Sequence, residues 1–188
     1  MHCRIENLPN KQTALEFVIR AGSITVIQGA VGTGKTVMLE ALLGRGLAQA
    51  RIQSGSQTLD SLERFAGFAA ATLQFVDASL LENIALDRSG TWDRAANLAV
   101  LDQDSSIHRD APLTNNSGLS GGQRARLAVA RAAFDRPGVL ILDDPSSALD
   151  DQTADELWQH LRASGQTVIL ASNHPGAVAV ADQVIVLA

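Results

Sequence analysis

The chain has 188 residues, 46% apolar and 19% charged, a globular composition that suits one domain or a core with a small appended lobe. Its net charge of −5 gives no sign of the basic face that nucleic-acid binders carry, so no nucleic-acid partner is expected. One cysteine, Cys3, excludes an internal disulfide; "MHCRIENLPN" has no apolar signal-peptide core, and no run reaches the roughly 18 apolar residues of a membrane span.

In chain order, "SITVIQG" (23–29) predicts a buried strand ending on glycine. "KTVMLEALLG" follows with apolar residues at helical spacing and Gly44 as its stop. Over 45–73 the pattern weakens: "QSGSQTLD" reads as a turn with weak strand on each side, and "LERFAGFAAATLQ" suits helix, strand or both. "TWDRAANLAVLDQD" predicts a short helix with Thr91 as N-cap, and "RDAPLTNNSG" a loop. "SGGQRARLAVARAAFDRPG" predicts a helix with Leu127, Ala130, Ala133 and Phe134 on one face and Pro137-Gly138 at its end. "VLILD" is a central strand, "QTADELWQHLRASG" an amphipathic helix, and "QTVILAS" and "QVIVLA" the last two strands. This alternation predicts an α/β layer fold with a mostly parallel sheet. The middle third lacks strong strands and is expected to be an inserted lobe.

One motif carries chemistry by itself. "GAVGTGKT", residues 29–36, fits the phosphate-loop pattern G-x-x-x-x-G-K-[ST]. Gly29, Ala30, Val31, Gly32, Thr33 and Gly34 form a loop whose glycines let backbone N–H groups turn inward around phosphates. Lys35 then reaches the β- and γ-phosphates, and the Thr36 hydroxyl is a Mg²⁺ ligand. The motif follows a strand and opens a helix, the context in which the helix dipole also favours an anion. A bound Mg-nucleotide is the expected ligand.

About 85 residues downstream, "LSGGQ" (119–123) opens the arginine-rich helix just ahead of "VLILDDP". With the phosphate loop, these segments resemble the ATP-binding cassette (ABC) ATPases along nearly the whole chain. "GAVGTGKT" is similar to the Walker A loop, Gln74 to the Q-loop glutamine and "LENIAL" to the "ENI" segment. "LSGGQRARLAVARAAF" is similar to the signature helix, "VLILDD" to Walker B, and "SALD", ending at Asp150, to the D-loop. The resemblance implies a P-loop NTPase with a RecA-like, mostly parallel sheet, a small antiparallel part and a short inserted α-helical signature lobe. The expected division is a core of residues 1–75 and 124–188 with a lobe at 76–123.

The resemblance also implies a mechanism. Two cassettes pack head to tail, and ATP sits between the Walker A of one and Ser120, Gly121, Gly122 and Gln123 of the other. Those four residues lie at a predicted helix N-terminus, which is suited to an anion. Asp143 is the expected metal-site aspartate, sharing Mg²⁺ with Thr36 and Gln74. Asp150 is expected near the shared nucleotide. The implied partners are a second cassette and a transmembrane domain, with the chain on the cytoplasmic side of a membrane. Its signature and Walker B stretches look more like exporter than importer cassettes.

Four departures bear on activity. Asp144 stands where the family's catalytic glutamate usually sits; it is one methylene shorter, so its oxygens fall about 1.5 Å further back. It reads either as a handicapped base or as a solvated acid capping the turn before Pro145. Asn173 stands at the position of the family's histidine, and can donate to phosphate but cannot carry charge. His174 comes one residue late, and reads either as a substitute or as a surface histidine. No aromatic precedes Walker A where the family stacks adenine, so the base is expected to bind weakly or against an aliphatic side chain. The expectation is an ATP-hydrolysing transport cassette of low activity. The alternative is a regulatory half that binds ATP with negligible turnover.

Overall fold

The computed structural model describes residues 1–9, 13–70, 74–113 and 118–188. The chain opens with β1 (His2–Glu6) and β2 (Leu15–Val18), then β3 (Ile24–Gly29), α1 (Lys35–Leu42), and the hairpin of β4 (Gln49–Ser54) and β5 (Gln57–Leu59). Next come β6 (Ala66–Ala69), β7 (Ala78–Ser79), α2 (Leu80–Ala85), α3 (Trp92–Leu98), β8 (Pro112–Leu113) and α4 (Gly121–Ala133). It ends with β9 (Val139–Asp143), α5 (Asp151–Ala163), β10 (Thr167–Ala171), α6 (Pro175–Ala179) and β11 (Gln183–Leu187).

Five strands form one parallel sheet in the order β11-β3-β10-β9-β6. β9 and β10 are interior and read as unbroken apolar runs because helices cover both faces. Their period-two alternation divides the core. Leu140 and Leu142 pack with Leu127, Trp158 and Leu170 on one face, and Val139 and Ile141 pack with Leu39, Leu42 and Ile169 on the other.

A separate four-stranded antiparallel sheet, β2-β1-β4-β5, lies over α1. The expected turn in "QSGSQTLD" is the β4–β5 hairpin, with Ile52 opposite Leu59. β1 and β2 are short and weakly patterned, although "HCRIE" alternates: Cys3 and Ile5 are fully buried while Arg4 and Glu6 face out. The ambiguous "LERFAGFAAATLQ" resolves as strand β6, with residues 71–73 outside the described set. Gly67 is the reason β6 packs closely on α4: a Cβ there would collide with the Ala132 carbonyl.

Between β6 and α4 the chain makes an excursion closed at its base by the pairing of β7 with β8, Ala78 opposite Leu113. α2 starts on a reciprocal capping box between Ser79 and Glu82. α3 begins after Thr91 as expected, but the Thr91 hydroxyl makes no cap bond. The following Trp92 is half buried, and α3 packs on α4. The loop read in "RDAPLTNNSG" contains β8, and residues 114–117 lie outside the described set. The buried side of α4 is broader than the four residues anticipated, adding Ala128, Val129 and Ala132. Among the described residues no helix is long and apolar enough to cross a membrane.

Candidate active site

The phosphate loop joins β3 to α1 at the carboxyl ends of the parallel strands, where open α/β sheets hold their ligands. Gly34 is the α1 N-cap at φ 95°, a left-handed conformation that favours glycine, and no side chain caps the helix. The first-turn amides therefore remain available to an anion. Val31 at the loop tip is 99% exposed. Lys35 Nζ folds back and donates to the carbonyls of Gly29 at 2.6 Å and Ala30 at 3.1 Å. The Pro9 ring lies close to the loop: a Cβ on Gly34 would lie 3.2 Å from Pro9 Cδ. Residues 10–12, part of the segment expected to face adenine, lie outside the described set.

Two adjacent aspartates lie at the end of β9. Asp143 ends β9, and its Oδ2 accepts a hydrogen bond from the Thr36 hydroxyl at 2.9 Å. Both groups, one hydroxyl and one carboxylate, are oxygen donors that would suit a hard cation. Asp144 bends away at φ 45°, and its N–H closes on the Ala171 carbonyl at 3.0 Å. Burial, and then the neighbouring Asp143 charge, push the Asp144 carboxyl above the ordinary aspartate range, with Lys35 opposing them. A cation on Asp143 would relieve part of that repulsion, so the residues present fit Mg²⁺.

Gln74 is exposed, and its carbonyl accepts from Arg131 Nη1 of α4 at 3.0 Å. The next residue, Phe75, is 2% exposed, with the Arg124 and Arg131 guanidinium carbons each 5.6 Å from its ring centroid. The backbone that presents Gln74 is thus attached to the signature helix.

Ser120 caps α4 in a reciprocal box: Gln123 N–H donates to Ser120 Oγ at 3.1 Å, and Ser120 N–H donates to Gln123 Oε1 at 2.9 Å. The other end of the Gln123 amide donates to Asp104 Oδ2 at 3.2 Å and Ser106 Oγ at 2.9 Å. Arg126 also reaches Asp104, at 2.7 Å. Gly121 and Gly122 face the D-loop closely, since a Cβ on either would come within 3.2 Å of Ala148 atoms. Gly121, Arg124, Asp143 and Asp144 border one cleft of about 220 Å³. Asp150 caps α5, accepting from Thr153 N–H at 2.9 Å and Thr153 Oγ1 at 2.8 Å.

Asn173 and His174 point in different directions. Asn173 lies on the phosphate loop, where its Oδ1 accepts from Gly29 N–H at 3.2 Å and its Nδ2 donates to Gly29 O at 3.0 Å. His174 faces α5 instead. Its Nδ1 accepts from Trp158 Nε1 and from Gly176 N–H, each at 3.1 Å, making it the α6 N-cap. The fold therefore gathers Gly29, Lys35, Thr36, Asp143, Asp144 and Asn173 and leaves His174 outside that group. Asp104 had no motif to single it out, and Arg126 and Arg131 lie in the signature helix without a role read for them; each acts through a partner at least 19 positions away.

A sequence profile described as ABC transporter matches residues 13–147. The chain belongs to the ABC transporter family. It is 34% identical over 185 residues to the aliphatic sulfonates import ATP-binding protein SsuB 3 of Pseudomonas syringae pv. syringae, covering 92% of this chain and 66% of that one. It is 30% identical over 189 residues to the ABC transporter ecdL of Aspergillus rugulosus, covering 93% of this chain but 12% of that one. The chain thus spans about two thirds of the import protein and a small part of the Aspergillus transporter. Among solved structures, a bacterial Atm1-family ABC exporter with ATP bound superposes with a TM-score of 0.82 at 25% identity, over 99% of this chain and 37% of that one. A dimeric bacterial ABC transporter cassette superposes with a TM-score of 0.73 at 21% identity, over 98% of this chain and 94% of that one, a likeness of fold. Import and export relatives both match this ABC cassette, and its P-loop NTPase fold is theirs.

Proposed function

We propose that this ABC cassette binds MgATP on residues 29–36, pairs head to tail with a second cassette, and hydrolyses ATP slowly to drive a transmembrane partner. The observation that carries this reading is the hydrogen bond from Thr36 to Asp143, which sets two metal-site groups beside the phosphate loop. The core of residues 1–75 and 124–188 would hold nucleotide, and the lobe at 76–123 would present Ser120 to Gln123 to the partner cassette. The site of action is the cytoplasmic side of a membrane.

The work of each residue follows from its chemistry. Lys35 exchanges the Gly29 and Ala30 carbonyls for phosphate oxygens. Thr36 and Asp143 hold Mg²⁺, with Gln74 as a further candidate ligand. Mg²⁺ when bound neutralises charge on the phosphate oxygens. Asp144 accepts a proton from the attacking water as the water oxygen bonds to the γ-phosphorus and the bond to ADP breaks. Its short side chain and the engagement of Asn173 with Gly29 both support low turnover.

The test is steady-state phosphate release with MgATP over a range of protein concentrations, beside Lys35→Ala. Release that rises more than linearly with protein and vanishes in the variant is the expected result. Nucleotide-dependent thermal stabilisation with no release would favour the regulatory half.

A further inference from the structure

We propose that Asn173 is a positioning residue for the phosphate loop: its side-chain amide acts as one more rung of the parallel sheet and holds the Gly29 peptide. The inference rests on the reading of residues 29–36 as a nucleotide site.

The ladder shows why. β10 runs parallel to β3, with Val168 opposite Ile24 and Ala171 opposite Ile27. Alternate residues, from Ser23 just before β3 onward, turn their peptide groups toward β10: Ser23 O accepts from Val168 N–H at 2.9 Å, and Ile27 O accepts from Ser172 N–H at 3.1 Å. Gly29 is next in that alternation, but β10 has ended at Ala171. The Asn173 carboxamide takes the empty place. It is a primary amide, so it offers the same donor and acceptor as a backbone peptide. It meets Gly29 N–H and Gly29 C=O together, at 3.2 and 3.0 Å. On the other side β11 runs alongside, with Leu187 in register with Gly29.

The Gly29 carbonyl also receives Lys35 Nζ at 2.6 Å. When Lys35 moves to a phosphate, that carbonyl loses a donor but keeps Asn173, so the loop retains its start point. Asn173 acts on the loop that binds every phosphate, not on the γ-phosphate alone. His174, one position later, cannot replace it, because its Nδ1 is already the acceptor for Trp158 and Gly176.

The test measures MgATP and MgADP affinity for the full chain and for Asn173→Ala and Asn173→Asp, with amide exchange at Gly29 followed without nucleotide. Asn173→Ala is expected to weaken both nucleotides by the same factor, on the order of tenfold for two neutral hydrogen bonds. Asn173→Asp is expected to be worse, because a carboxylate oxygen would face the Gly29 carbonyl. Gly29 N–H is expected to exchange slowly in the parent chain and quickly in Asn173→Ala. A loss confined to ATP would place Asn173 on the γ-phosphate and overturn the proposal. Fast exchange at Gly29 in the parent chain would overturn it too, even if no variant folds. If the parent binds neither nucleotide, the reading of the site fails, while the exchange data still decide the rung.

Discussion

The Thr36 hydroxyl donates to Asp143 Oδ2 at 2.9 Å, joining residues 107 positions apart. One lies in the first turn of α1 and the other at the end of β9, so the bond reports the docking of α1 against the sheet. It also makes a testable distinction. Asp143→Ala is expected to leave the fold intact and to remove the magnesium dependence of ATP affinity. The cost is about 1.5–3 kcal/mol, the size of one hydrogen bond to a charged group, or roughly tenfold to a hundredfold. Titrations with ATP in the presence and absence of magnesium check this: the two curves are expected to converge in the variant.

Asp144 is expected to set stability against activity. Its carboxyl is held above the ordinary value by burial first and by Asp143 second. The folded chain therefore binds this proton more tightly than the unfolded chain. Native stability is lost as pH rises from the ordinary aspartate value, about 3.9, through the raised one, and the cost persists above it. Asp144→Asn is expected to lack this loss, so its denaturant midpoint at pH 7 exceeds the parent's while the two draw together near pH 4. Its turnover is expected to fall by at least about a hundredfold, the usual size of a general-base contribution.

Asp144→Glu tests the length argument directly. Restoring the missing methylene is expected to raise the rate of phosphate release, by up to about a hundredfold for an oxygen displaced by about 1 Å. A rate equal to the parent's would show that Asp144 already reaches the water or that a different step limits turnover.

Asp104 links the signature turn to the rest of its lobe. Hydrogen bonds from Ser106, Arg126 and Gln123 outweigh its partial burial and hold its carboxyl down at about 2. Its stabilising effect is present above the ordinary value of about 3.9 and is lost as pH falls through about 2. Asp104→Asn is expected to cost about 1–2 kcal/mol at pH 7, since Arg126 loses a partner that is only partly screened by solvent. It is also expected to weaken ATP-dependent self-association, because Gln123 loses its anchor. Denaturant melts and sedimentation with and without ATP give the two readings.

Gly67→Ala probes packing away from the chemistry. The added methyl would meet the Ala132 carbonyl, which is backbone and cannot rotate aside. A loss of up to about 3 kcal/mol is expected from this overpacking of β6 against α4. A thermal melt of the nucleotide-free chain measures it.

Much of the architecture was legible locally. "VLILD" and "TVILA" are unbroken apolar runs because both faces of the sheet are covered, and "GAVGTGKT" announces a phosphate loop by its glycines and lysine. Other parts carried only faint signals. β1 alternates over just five residues, and β6 is rich in alanine and glycine, so neither stands out by periodicity. Thr91 marks the start of α3, but its hydroxyl makes no cap bond.

What residue identity and spacing settled alone was the chemistry on offer: a lysine and a threonine closing a glycine loop, and two acids at the end of a buried strand. Which way each group faces is a non-local matter. Asn173 and His174 are neighbours, yet one completes a rung with Gly29 144 positions away and the other caps a helix against Trp158. That division follows from the register of β10 against β3 and from where α5 packs, and neither is written in the residues at 173 and 174. Alternation along an extended chain sends successive side chains to opposite sides, so only the docked sheet could assign the amide to the phosphate loop and the imidazole to the helix.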